Sequence, residues 1–270
     1  MSTTQEAKEL IYGNIVELEL PSGFWVKIRE QNGEDDDILS NPILAKDLSN
    51  VSILLSSLII DTNLPFATGG KVNIENIDKL LVNDQAIILL GSRINSLGSS
   101  LEFTYNWGKP TGILNYTEDL NQYRWPYISG PEGFPHNESD TDYFKYRCKP
   151  YPADCYNQKY FTLSSGKEVR MKHMDMASQK KLIALPSDKN TKNSEFLIRD
   201  LELLIDGDWK RVENFKFFTS KDMQDLRKAI HKMDEPFKGF TELENPATGE
   251  TVLYPFMGNS SFFFPGETEN

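Results

Sequence analysis

The sequence predicts an α+β chain. A mixed helical and hairpin N-terminal part is followed by a β-rich C-terminal part that carries one amphipathic helix. Three observations lead there. Apolar and polar residues alternate on both sides of tight turns, the period of half-buried strands. Apolar runs at 51–60 and 85–97 have the length and flanking residues of buried helices. Near the C-terminus Met223, Leu226, Ile230 and Met233 recur on one helical face.

Taken in order, residues 1–12 suit a short helix or an arm. Ile15 to Leu20 alternates apolar and acidic residues, Pro21-Ser22-Gly23 is a turn, and Phe24, Val26 and Ile28 alternate with Trp25, Lys27 and Arg29. Together they predict a β-hairpin. Asp35, Asp36 and Asp37 fill the first turn of a helix, where negative charge suits the macrodipole. Pro42 starts a second helix or breaks the first. Ser49 and Asn50 are N-cap candidates for a helix over Val51 to Ile60. That run is apolar nearly all round and should be buried. Asn63 to Lys71 is a loop, and Asn76 to Leu81 a short helix or turn. Asn83-Asp84 and Gly98 bracket a helix over Gln85 to Leu97, with the glycine where a left-handed C-cap is wanted. Ser99 to Trp107 returns to strand alternation.

From Gly108 to Gln158 aromatics, Pro and Gly are dense, as in Trp125-Pro126-Tyr127 and Phe134-Pro135. The stretch reads as a long ordered excursion, packed on the protein core or on a neighbouring subunit. Residues 160–163 and 168–172 predict a hairpin, and 177–182 a short helix. Thr219-Ser220-Lys221-Asp222 matches a capping box ahead of a helix over 220–233. Residues 240–244 and 251–256 predict a last strand pair, and Phe262-Phe263-Phe264 is a core plug or an anchor in a partner's pocket. Three parts follow: 1–107, the excursion 108–158, and 159–270.

Composition bounds the function. The net charge is −11, and all of it lies in the first half: residues 1–140 hold 9 Lys/Arg against 20 Asp/Glu, residues 141–270 hold 20 of each. Such an excess argues against nonspecific binding of nucleic acid or anionic membrane by the first half, and the second half is mixed, not basic. Hydrophobic runs are too short to span a bilayer. Met1 to Glu6 lacks the basic start and apolar core of a signal peptide, so a cytoplasmic origin is expected. Cys148 and Cys155 are expected as free thiols, since zinc needs four ligands and no histidine follows ligand spacing.

No Gly-x-Ser-x-Gly, His-Glu-x-x-His or Gly-x-x-x-x-Gly-Lys-Ser/Thr segment occurs. Glu34-Asp35-Asp36-Asp37 lacks the spaced oxygens and later bidentate Glu of a calcium loop. No catalytic, metal or cofactor residue is therefore expected. The interaction candidates are the aromatic anchors Trp125, Tyr127, Phe134, Phe262, Phe263 and Phe264, together with the acidic Asp35, Asp36 and Asp37.

The order of these features resembles a known family. Glu19-Leu20-Pro21-Ser22-Gly23 leads through the hairpin to Glu34-Asp35-Asp36-Asp37-Ile38-Leu39, then to Leu58-Ile59-Ile60-Asp61. Asp78-Lys79-Leu80-Leu81-Val82-Asn83-Asp84-Gln85, Arg93-Ile94 and Leu101-Glu102-Phe103 follow, and Lys221-Asp222-Met223 and Thr248-Gly249-Glu250 to Pro265 close the chain. This order over roughly 15–107 and 160–265 resembles the baseplate family of T4-type contractile-tailed bacteriophages, which includes a hub subunit and a hub-assembly protein. Where relatives carry cysteine knuckles, this chain has Asn106-Trp107-Gly108-Lys109-Pro110, so a zinc ribbon is not implied. The resemblance implies a non-enzymatic protein of the virion tail baseplate, assembled in the host cytoplasm. Its partners would be other tail and baseplate proteins in multiple copies, with no nucleic acid and no membrane insertion. An assembly chaperone that leaves the particle and a tail-tip cell-wall hydrolase are the alternatives.

Overall fold

Alternation, turn chemistry and caps act locally, and they account for most elements of the computed structural model, which describes residues 13–124, 150–187, 191, 193–257 and 260–264. Strands β1 (Val16–Glu19) and β2 (Trp25–Ile28) pair antiparallel, Glu19 opposite Trp25. Gly23 closes the turn at φ +80°, a conformation that side chains with a Cβ disfavour. Helices α1 (Gly33–Leu39) and α2 (Pro42–Ala45) start at Asn32 and Asn41, whose side chains cap them. Pro42 sits in the first turn, where its missing N–H has no cost.

Helix α3 (Ser49–Leu58) buries Leu54, Leu55 and Leu58 completely. It differs from the sequence expectation at both ends. Its N-cap is Leu48, at φ +61°, and Asn50 instead donates to the Leu39 carbonyl at 3.3 Å. Ile59 leaves the helix and opens β3 (Ile59–Thr62), which lies antiparallel on the free edge of β2. An unpaired strand edge beside the core outweighs one more helical turn. The sheet order is β1-β2-β3.

After α4 (Ile74–Ile77), the long α5 (Val82–Leu97) packs against β1 of this sheet. A Cβ on Gly91 would come within 2.4 Å of the Leu18 side chain, so glycine lets α5 approach β1 closely. Asn83 and Asp84 lie inside the helix and Leu81 is the N-cap, while Gly98 ends it at φ +80° and ψ 174°, outside the left-handed well expected. Leu20, Val26, Ile28, Leu58 and Ile88 form the first core.

Strands β4 (Ser100–Asn106) and β5 (Ile113–Asp119) make a two-stranded hairpin, continued by a 3₁₀ turn at Leu120–Tyr123. The excursion therefore begins with regular structure that Pro110, Gly108 and Gly112 conceal in the sequence. Strands β6 (Lys159–Thr162), β7 (Glu168–Met171), β8 (Glu202–Ile205) and β9 (Asp208–Arg211) form a meander in chain order. Helices α6 (Met176–Ile183) and α7 (Ser194–Ile198) lie between β7 and β8. Helix α8 (Ser220–Met233) contributes Met223 and Leu226 to a second core with Val169, Met171 and Leu203. Its N-terminus is the expected capping box, Thr219 with Asp222.

The chain then returns. Strands β10 (Phe240–Glu244) and β11 (Thr251–Pro255) pack on β4 and β5, with Phe103 stacked on Tyr254 at 4.4 Å. Helix α9 (Ser260–Phe263) places Phe262 in a third core beside Phe256, Leu101 and Leu90. The architecture is mixed α+β, with four small antiparallel sheets among the described residues. No described helix is long and apolar enough to cross a membrane.

Candidate functional site

The N-terminus of α5 is where the parts of the chain meet. Leu80 and Val82 pair with the backbone of 174–176: Met176 N donates to Leu80 O at 2.9 Å, and Val82 N to Met174 O at 3.1 Å. The Asn83 side chain donates to Glu235 O and accepts from Phe237 N, each at 2.9 Å. Asp84 turns the other way. It accepts from the Ser22 backbone N–H at 3.0 Å and from the Tyr156 hydroxyl at 3.3 Å. Tyr151 N donates to Pro21 O at 2.7 Å and fastens the 150–157 segment to the same hairpin turn.

Asp84 is fully buried, with no cation on it among the described residues. Burial pushes its carboxyl up to about 7, although the Ser22 and Tyr156 hydrogen bonds pull the other way. Burial likewise pushes the Cys155 thiol up to about 11, so this buried free cysteine is a poor nucleophile.

Beside this junction, α6, α7 and α8 enclose a groove of about 580 Å³. Its floor is apolar, formed by Met174, Leu182, Phe196 and Ile230. Arg199 crosses one wall almost fully buried. Its Nε and Nη2 donate to Glu195 Oε1 at 3.0 and 2.6 Å, and Nη1 donates to Asp234. Asp234 also meets His173 Nδ1 at 2.7 Å and accepts from Met174 N at 3.1 Å. Burial would raise the Asp234 carboxyl; the hydrogen bond from His173 and the charge of Arg199 outweigh it and hold it below the usual range. Tyr151 packs edge-on against the His173 ring at 5.0 Å. A His–Asp pair acts as a base only on a proton within hydrogen-bond reach. His173 Nε2 is buried with no hydrogen-bond partner among the described residues, and His173 does not line the groove. The cluster thus ties β7, α7 and the end of α8 together. Among the described residues no group of three His, Cys, Asp or Glu is placed to hold a metal ion.

The residues singled out in the sequence are scattered. Asp36 and Asp37 are exposed on α1. Asp35 is corrected: it is 1% exposed and held by Arg29, so it is no surface contact. Of the two alternatives for Phe262, the structure shows the core plug: it is 0% exposed and so is no exposed anchor. Phe263 and Phe264 are half-buried against the core. Trp125, Tyr127 and Phe134 lie outside the described residues. The structure brings none of these together with the groove. Arg199, Asp234 and His173 escaped the sequence reading because they come from separate elements and follow no short motif. Compared with known proteins, the chain matches no family model, no curated protein and no solved structure at a significant level.

Proposed function

We propose that the chain is a structural component of the baseplate hub or inner baseplate of a contractile phage tail, working by protein–protein assembly. One observation carries the reading. The stretch where the family resemblance begins, Glu19-Leu20-Pro21-Ser22-Gly23, and the stretch Asp78 to Gln85, where it is clearest, meet through the buried Ser22 N–H to Asp84 bond. Residues that lack chemistry by themselves thus share a structural joint. Assembly also suits the architecture: half-buried Phe263 and Phe264, exposed Ile113 and Leu253, and the exposed Asp36 and Asp37 offer apolar anchors with polar surroundings.

Mass spectrometry of purified particles is the test. The chain should be present at fixed stoichiometry. Absence from particles sinks the structural-subunit reading, and presence in infected-cell lysate alone points to a chaperone that leaves.

A further inference from the structure

We propose that residues 150–157 form a strap over the β1–β2 turn, and that protonation of Asp84 governs its opening. The strap is a property of the chain by itself, whatever its partners, and so stands apart from the assembly reading.

From residue 150 to β6 the segment contains no helix or strand. Its backbone is fastened to the turn by Tyr151 N, which donates to Pro21 O at 2.7 Å, while Cys155 N and Asn157 N bond within the segment, to Pro152 O and Asp154 O. Side chains add the rest. The Tyr156 ring packs edge-on against Phe24 and Phe66, at 5.7 and 5.5 Å, and its hydroxyl donates to Asp84 at 3.3 Å. Cys155 and Tyr151 pack on Leu81 at the start of α5. A segment held by a few side-chain contacts and little backbone pairing opens at lower cost than the strands and helices around it.

Asp84 is what the strap shuts in. The turn offers it the Ser22 N–H, and the strap the Tyr156 hydroxyl and the Cys155 thiol. Its neighbours on α5, Asn83 and Gln85, are neutral, and residues 174–176 meet the start of α5 through their backbone. The ions nearby are engaged with one another: Lys159 with Asp154, His173 with Asp234, Lys172 with Asp175. Burial pushes the Cys155 thiol and the Tyr156 hydroxyl up, so both stay neutral near pH 7. Asp84, raised to about 7, is the group of this joint that titrates there.

Opening the strap hydrates the carboxyl and returns it to about 4. Between about pH 4 and 7 the open form has released a proton that the closed form keeps, so each pH unit favours opening by up to about tenfold. Above about pH 7 both forms are ionised and the dependence ends. The strap is tight in mild acid and loosest from neutrality upward, where opening uncovers the Pro21-Ser22-Gly23 turn and the Phe24 and Phe66 rings.

The experiment is amide hydrogen exchange on the full chain from about pH 5 to 8, with rates corrected for the intrinsic pH dependence of exchange. Protection of the Tyr151 amide should fall by up to about tenfold per pH unit as far as pH 7, and level off beyond it. The Val212 amide, bonded to Leu201 O at 2.8 Å in the second core, should be at least roughly tenfold better protected. It should also respond to about 1 M urea, whereas Tyr151 should not, because a local opening exposes little surface. Asp84→Asn, which cannot ionise, should leave Tyr151 protection flat with pH. Tyr156→Phe keeps the ring but removes a donor to the carboxylate, so the levelling should move above pH 7. A flat Tyr151 profile in the parent, a slope kept in Asp84→Asn, or an unmoved levelling in Tyr156→Phe overturns the proposal. Equal protection and urea response at Tyr151 and Val212 also overturns it, by showing that the segment opens only with the whole fold. Should Asp84→Asn fail to fold, Tyr156→Phe and the urea comparison decide.

Discussion

Asp35 and Asp84 occupy the same place in two helices and end in opposite states. Each is the third residue of its helix, α1 and α5, and the two are 1% and 0% exposed. Asp35 closes a capping box: Asn32 N donates to its Oδ2 at 2.9 Å. The Arg29 guanidinium then grips both oxygens at 2.6 and 2.9 Å, and Ser57 Oγ adds a bond at 3.0 Å. Burial would raise its pKa, but Arg29, Asn32 and Ser57 overcome that and hold it below the ordinary value. Among the described residues Asp84 has two neutral donors and no cation, and burial raises it to about 7. The magnitudes explain why. A helix N-terminus favours a carboxylate by roughly 0.3–1 kcal/mol, whereas desolvating one ion costs several kcal/mol. The dipole is present at both helices, so the counter-ion decides.

The largest test of this contrast removes the counter-ion. Arg29→Met should destabilise the protein by about 3–5 kcal/mol in urea unfolding, because Asp35 is left buried and unpaired. Adding Asp35→Leu should recover most of that loss; a single variant within about 1 kcal/mol of the parent breaks the comparison.

The next effect is in pH. Between about pH 4 and 7 folded Asp84 keeps a proton that the unfolded chain has released, so its contribution lowers stability as pH rises. The slope is at most about 1.4 kcal/mol per pH unit. Asp84→Asn should flatten it, seen as urea midpoints that drift less across that window. Asp35 works with the opposite sign: its stabilisation is complete above the unfolded value and is lost as acid protonates the folded carboxylate. Asp35→Asn should therefore lose most stability above pH 4 and least in acid.

Asp222, third residue of α8, sharpens the rule. It is fully buried yet held well below the usual range, against burial, by Ser165, the Thr219 cap and Lys167. Thr219→Ala should cost about 1 kcal/mol, measurable by denaturant unfolding and by faster amide exchange in the first turn. The smallest effect belongs to the exposed pair Lys27–Glu17, at 3.5 Å. Lys27→Ala should change stability by no more than about 0.5 kcal/mol, since water already screens that pair.

The hairpin β1–β2, the Pro42 start of α2, β4, the capped α8 and the pair β10–β11 were legible because each depends on neighbours in sequence. The misses lie where distant contacts overrule local preference. Ile59 and Ile60 extend a helical run, yet β2 needs a partner and takes them as β3. Asn83 and Asp84 look like caps, yet their side chains reach Phe237 and Ser22. Strand β5 is hidden among turn residues, and only its register with β4 reveals it. Residues 194–211, which hold α7, β8 and β9, carry no element expected from the sequence. None of the groove was legible, because Met174, Leu182, Phe196 and Ile230 come from four separate segments.

By itself the sequence determined the α+β class, most turns and caps, and the acidic bias of the first half. These follow from side-chain period, backbone freedom and composition, which act over a few residues. Tertiary structure alone decided how burial and ion pairing shift each carboxylate, that Asp35 and Phe262 are interior, and that α6, α7 and α8 enclose a groove with an apolar floor. Desolvation and ion pairing depend on what packs within a few ångströms, and those neighbours are tens of residues away along the chain.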